Sequence, residues 1–182
     1  MEILKFEVLP RGILDSVQIV HQLVFDGDRL KESKLDHKKG FLAFVSMEDN
    51  VVTGFKFGYE IEEGIFYSWL GGVHPAYQKR GIASQLMQAQ HDECKKRGYK
   101  RVRTYSNNAR KPMIITNIKH GFDITETFVD AKGRHKIVLE KQLWDVHMKG
   151  NMLGKRDSFP VPYEYLFHGQ HGVSQLVSRS VQ

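Results

Sequence analysis

Cysteine is all but absent: Cys94 is the single one in 182 residues, so no intrachain disulfide can form, and no Cys/His group has the spacing of a zinc site. No metal is expected. Long apolar runs are missing too. No stretch approaches the ~20 residues that span a bilayer, and the start, Met1-Glu2-Ile3-Leu4-Lys5, lacks a basic segment followed by an apolar one. The expectation is a cytoplasmic protein with no membrane partner. Proline is scarce, at five residues, and no internal repeat or biased tract occurs before residue 144, which excludes collagen-like, mucin-like and solenoid chains.

What is present is an ordinary globular balance, 41% hydrophobic and 26% charged. It suits one folded domain over 1–143 with a C-terminal extension, 144–182. The net charge of +6 is not spread evenly. Lys79, Arg80, Lys95, Lys96, Arg97, Lys100, Arg101 and Arg103 stand against only Asp92 and Glu93 between 78 and 103, enough to account for the whole excess. Such a segment is either a solvated face or an attraction for phosphate groups. A nucleic-acid surface is the weaker reading, since Tyr99 and Tyr105 lie nearby without any recognised RNA- or DNA-binding motif.

Periodicity orders the rest. Ile3–Leu9 reads as a strand ending at Pro10, Ser16–Phe25 as a helix with Val17, Val20, Leu23 and Val24 on one face, and the charged stretch 28–36 as a second short helix. Phe41–Ser46 is a compact apolar run and Val51–Glu60 alternates, with Glu48-Asp49-Asn50 as a turn between them, which predicts a hairpin. Ile65–Val73 is almost continuously apolar, as in a central strand covered on both faces. Ile82–Arg97 then places Ala83, Leu86, Met87 and Cys94 on one helical face, interrupted by Gln90 and stopped by Gly98. With Tyr99–Ser106 as the next strand, 65–106 has the length of a βαβ unit, so its two strands should run parallel. A short helix, Pro112–His120, ends at Gly121, and Asp123–Asp130 pairs with His135–Leu143 around Gly133. In the extension, the aromatic cluster Tyr163, Tyr165 and Phe167 has no sustained periodicity, and His168 with His171 are too few for a metal site.

The turn from the central strand into the long helix, Gly72 to Ala83, carries the chemical signal. Backbone N–H groups and the positive end of a helix dipole converge there, Gly81 allows close approach of an anion, and Lys79 and Arg80 add charge. It is not a Walker A loop, because Ile82-Ala83 follows Gly81, and it is not a G-x-G-x-x-G fingerprint.

Gln78-Lys79-Arg80-Gly81-Ile82-Ala83 fits Q/R-x-x-G-x-G/A and resembles the acyl-CoA pyrophosphate loop of the GNAT superfamily of N-acyltransferases. Val73-His74-Pro75, the pair Asn107-Asn108 and the segment Asn117 to Phe122 agree with it, so the resemblance runs across about 41–143. It implies an α/β (α+β) GNAT-like fold with a mixed, centrally splayed sheet of about six or seven strands flanked by helices. It also implies acetyl-CoA as acyl donor, with no metal, and a primary amine acceptor attacking directly in a ternary complex. Pantetheine would lie along Gly72 and Val73, the pyrophosphate against Gln78, Lys79, Arg80, Gly81, Ile82, Ala83 and Ser84, and the sulfur end near Asn108 and Asn117. The N–H of Val73 would hold the thioester oxygen.

Two positions depart from the family pattern. Asn117 stands where many relatives have a tyrosine acid, and Tyr67 where the histone-acetylating branch has glutamate, so histone-type chemistry is not expected. Glu60, Glu62 and above all Glu63 are offered as a base acting through water, against a solvated hairpin turn. His74 reads as structural, and Trp69 and Tyr67 either pack in the sheet or line an acceptor pocket. The other functional class that fits is a non-catalytic acyl-CoA-binding module. A homodimer is left open.

Overall fold

The computed structural model describes residues 1–144; the readings placed on 145–182, including Tyr163, Tyr165, Phe167, His168 and His171, lie outside the described residues. In chain order the elements are β1 (Glu2–Phe6), α1 (Arg11–Val24), β2 (Leu42–Glu48), β3 (Val51–Glu62), β4 (Ile65–Val73), α2 (Ile82–Lys96), β5 (Arg101–Ser106), α3 (Lys111–Lys119), β6 (Asp123–Val129) and β7 (His135–Gln142). The strands form one seven-stranded sheet in the order β1-β2-β3-β4-β5-β7-β6. All neighbours are antiparallel except β4 and β5, which run parallel as the βαβ spacing requires.

Two apolar clusters sit on the two faces. On the α2 side Phe44, Phe66, Leu86, Met87, Cys94, Val102, Phe122 and Leu139 pack together. On the α1 side Val17, Val20, Val45, Phe55 and Phe57 do so. The β2–β3 hairpin turns through Asp49 and Asn50, both with positive φ (50° and 63°), the conformation that short polar side chains tolerate.

Several predicted bounds move for local reasons. Helix α1 begins at Arg11, five residues before the predicted start, directly after Pro10, and its first turns already bury Leu14 and Val17. The predicted helix over 28–36 reduces to one 3-10 turn, Glu32–Lys34, which buries no side chain and so has no packing to extend it. On α2 it is Ile82, not Ala83, that joins Leu86, Met87 and Cys94 on the buried face, together with Gln90 and His91. Spacing alone cannot separate two neighbours at the edge of a helical stripe.

Strand β4 departs most from its predicted form. Phe57 pairs with Leu70 but Gly58 pairs with Ser68, so Trp69 is an extra residue with no partner on β3. This β-bulge resets the alternation of side chains beyond it. Only Ile65, Phe66 and Ser68 are fully covered, and Trp69 through Val73 are half-buried. The apolar run therefore marks a buried strand for half its length and an open edge for the rest.

Candidate active site

Strands β4 and β5 keep parallel register for three pairs, Ile65↔Arg101, Phe66↔Val102 and Tyr67↔Arg103. One further tie follows, in which the Thr104 hydroxyl donates to the Ser68 carbonyl at 2.9 Å. Beyond it β4 runs on to Val73, while β5 continues alongside β7 to Ser106. The sheet is thus open between β4 and β5 on the Trp69–Val73 side, as the resemblance implied.

The orientation of backbone groups along this open edge follows from register. His74 N–H donates to the Thr53 carbonyl at 2.9 Å, so Gly54 and Val73 form a non-hydrogen-bonded pair. The N–H of Val73 therefore turns away from β3, into the gap, and that of Gly71 does the same two residues earlier. Gly72 turns its own groups to β3. A side chain at Gly72 would also meet Val24 of α1 at 3.1 Å, so glycine lets the helix approach the strand.

At the end of the edge the chain makes the turn Pro75–Tyr77, capped by His74, whose Nδ1 accepts from Ala76 N–H at 3.2 Å. His74 also packs edge-on against Tyr77, so its contacts are structural. The Gln78 side chain donates to the Val73 carbonyl at 3.3 Å. Lys79 and Gly81 both adopt positive φ, 62° and 79°. Gly81 opens α2 with no side-chain cap, and the first bond into the helix runs from Gln85 N–H to the Gly81 carbonyl at 3.1 Å. The preceding N–H groups of the first turn are the ones a helix leaves over for an anion.

The charges around this loop are partly committed. Arg80 holds Glu48 at 2.8 and 3.0 Å and lies over the Tyr77 ring, fastening the loop to the β2–β3 hairpin. Arg97, Arg101 and Arg103 are likewise in ion pairs, with Glu93 and Glu7, with Glu140, and with Glu140 and Glu62. The four arginines of the basic segment are therefore part of a framework, and Lys79 stands at the loop without a carboxylate partner among the described residues. The Ser84 hydroxyl is 2.9 Å from His120 Nε2, which joins the start of α2 to the end of α3. Burial, with Lys141 and Lys56 nearby, holds His120 below the usual histidine range.

The structure brings Gly72, Val73, Gln78, Lys79, Arg80, Gly81, Ile82, Ala83 and Ser84 to one end of the gap. Ile82 contributes only its backbone, since its side chain is in the core. Asn117 is buried on α3, one turn before His120, and its carbonyl accepts from His120 and Phe122 N–H. Asn108 is exposed in the turn Asn108–Arg110 after β5. The three glutamates are not brought to Val73. Glu60 binds Lys39 and the Tyr99 hydroxyl, and Glu62 binds Arg103. Glu63 is exposed in the β3–β4 turn, the length of β4 away, roughly 26 Å at a strand's rise per residue.

On the face away from α2, an aromatic row draws on four strands: Trp69 on β4, Tyr59 on β3, Tyr67 on β4, Tyr105 on β5 and Phe128 on β6, each edge-on to the next. Lys38 reaches this row from the loop before β2, with Nζ 3.8 Å from the Tyr59 ring centre. Sequence reasoning named Tyr67 and Trp69 but missed Gly71, Tyr59, Lys38 and His120. The two adjacent glycines before Val73 were the available signal for Gly71. Nothing local foretold Lys38, because its partners come from two strands that follow it.

Comparison with known proteins follows the same lines. Residues 39–123 match the family model described as "Acetyltransferase (GNAT) domain". No curated protein matches the chain in sequence. Among solved structures, the ribosomal-protein-S18-alanine N-acetyltransferase from Escherichia coli superposes with a TM-score of 0.65 at 17% identity, covering 87% of this chain and 100% of that one. An aminoglycoside 6'-N-acetyltransferase complexed with coenzyme A gives 0.66 at 12% identity, covering 79% and 98%. Ard1 from Thermoplasma volcanium gives 0.63 at 18%, covering 79% and 99%.

Proposed function

We propose that this protein, whose residues 39–123 match a GNAT acetyltransferase domain model, is an N-acetyltransferase that moves the acetyl group of acetyl-CoA onto a primary amine, by direct attack with both substrates bound. The observation that carries this reading is the opening between β4 and β5, whose free backbone edge leads into an uncapped helix start at Gly81. An extended ligand with amide groups along its length and an anionic end fits both parts at once.

The acyl donor supplies an activated carbonyl and a thiolate leaving group. The gap-facing N–H groups of Gly71 and Val73 are the two donors available to the thioester oxygen and to the amides of the arm. An N–H aimed at a developing oxyanion contributes about 2.7–4 kcal/mol to lowering the barrier. Gly81, Ala83 and Ser84 offer backbone donors to the pyrophosphate, Ile82 lends its N–H, Gln78 fixes the Val73 carbonyl, and Lys79 adds charge, with Arg80 locking the loop in place. Asn108 and Asn117 lie toward the sulfur end. Asparagine has no proton to give a thiolate, and a thiol of pKa near 8.5 needs little assistance in leaving. Glu60 and Glu62 are engaged elsewhere and Glu63 is remote, so the amine's proton passes to water in the open gap.

Titration with acetyl-CoA, followed by measurement of coenzyme A release over a broad panel of amines, tests the reading. Binding with turnover is expected. Binding with no turnover on any amine favours the non-catalytic acyl-CoA-binding module, and absence of binding removes both. The relatives' acceptors, a ribosomal protein and aminoglycosides by their names, are chemically too different to be transferred to this chain.

A further inference from the structure

Lys38 places its ammonium 3.8 Å from the ring centre of Tyr59 and 4.9 Å from that of Trp69. The two rings stand at 77° to one another with centroids 5.8 Å apart, so they wall a corner that presents two aromatic faces to one cation. The neighbouring lysine behaves differently, Lys39 pairing with the Glu60 carboxylate at 2.5 Å. Among the described residues no carboxylate lies within ion-pair distance of Lys38. Here the aromatic faces take the place of a counter-ion. The corner is a cation site built by two strands of the sheet and filled by a side chain from an outlying loop.

Its position matters more than its existence. Trp69 is the bulged residue at which β4 parts from β5, and it precedes Gly71 by two residues, roughly 7 Å of strand. An ammonium in the corner is therefore next to the edge whose N–H groups face the gap. The loop holding Lys38 contains two left-handed positions, His37 (φ 58°) and Gly40 (φ 61°). It borders an open cavity of about 360 Å³ walled in part by Leu14, Leu35 and Phe41. Space beside the loop allows the arm to leave without opening either apolar cluster.

We propose that the Tyr59–Trp69 corner is the binding site for the acceptor's ammonium group, that the acceptor is a cationic primary amine on an unbranched aliphatic arm, and that Lys38 is a resident occupant which the acceptor displaces. The inference rests on the acetyltransferase reading and narrows its acceptor to one chemical class. It also accounts for the aromatic row, whose remaining members, Tyr67, Tyr105 and Phe128, line the way from the corner toward the outer strands as a track for an aliphatic chain. Burial, with Lys34 adding to it, holds the Lys38 ammonium below the usual lysine range.

The test is calorimetric titration of the full chain with pentylamine and with 1-pentanol, which has the same length without the charge. Removing the occupant in Lys38→Met should tighten pentylamine by about three- to tenfold, the scale of a cation–aromatic contact. Lys38→Arg, which keeps a cation, should stay near the wild type. Adding Trp69→Leu to Lys38→Met should abolish the gain, with the melting temperature monitored to verify folding. 1-Pentanol should bind equally to all four proteins. Equal tightening of 1-pentanol would mean a merely apolar pocket and would overturn the inference, as would unchanged pentylamine affinity in Lys38→Met. A parallel titration with acetyl-CoA separates the two levels. Donor binding without any pentylamine effect refutes the ammonium site alone, whereas loss of donor binding in the wild type refutes the acetyltransferase reading beneath it.

Discussion

Trp69 and Leu70, consecutive on β4, both turn their side chains to the α1 face of the sheet. That is the mark of the bulge, and Gly58 across the ladder is what permits it. A Cβ at Gly58 would lie 2.2 Å from Phe66 Cε1 and 2.5 Å from the Tyr67 carbonyl oxygen. Gly58→Ala should therefore destabilise the protein by about 1–3 kcal/mol through overpacking, read as a lower urea midpoint. An unchanged midpoint would mean that the Phe66 ring yields freely and that the bulge does not depend on this glycine.

Gly81 is different in kind. Its added Cβ would have only Gln85 Nε2 within 4 Å, at 3.8 Å, so there is room; the constraint is its φ of 79°. Gly81→Ala should cost about 1–2 kcal/mol of backbone strain and should weaken acetyl-CoA binding, because relief of the strain turns the loop's N–H groups aside. Gly81→Asn, which tolerates the left-handed region better, should recover part of both. A melting curve and an acetyl-CoA titration read the two effects, and an unchanged dissociation constant in Gly81→Ala would detach the loop from the donor.

His91 governs acid stability. It is fully buried on α2 with its Nε2 unpartnered among the described residues. Burial first, then the charges of Lys141, Lys56, His120 and Lys95, pushes it down to about 3. Between that value and the unfolded pKa near 6.5 the unfolded chain binds a proton that the folded one refuses, so stability falls as the pH drops through this window. The slope is up to about 1.4 kcal/mol per pH unit from this group. His91→Leu should flatten that limb. Urea midpoints at pH 7 and pH 5 for both proteins provide the measurement, and parallel losses in the two would acquit His91.

Cys94 should be inert in the folded state. It is fully buried, and burial, reinforced by Glu93 and opposed by Arg97 and Lys56, pushes its thiol up to about 12. An aromatic disulfide reagent should label it only in denaturant. Stoichiometric labelling of the native protein within minutes would mean that α2 opens locally far more often than its packing suggests.

Much of this arrangement was legible in the residues. The loop from Gln78 to Ser84, the hairpins and the parallel pair around α2 follow from glycine positions and from two periodicities, both local properties. What stayed hidden depends on partners distant in sequence. The bulge at Trp69 exists because Gly58 lies opposite, and a single strand's pattern does not report the register of its neighbour. Glu60, Glu62 and Glu63 look alike in sequence, yet Lys39, Tyr99 and Arg103 claim two of them from elsewhere in the chain. Lys38 reads as one more solvated lysine until two strands supply the rings beneath it.

The seven strands also amount to two blades, β1–β4 and β5–β7–β6, riveted by three parallel pairs and the Thr104–Ser68 bond at one end only. Such a joint is stiff against sliding and compliant against spreading. A long ligand bonded along Gly71 and Val73, as proposed, would serve as the absent rivets, and its arrival would then be mechanical closure of the whole sheet as well as occupancy of a groove. Slowed amide exchange between β7 and β6, the strands beyond β5 and away from the gap, is how that closure would register.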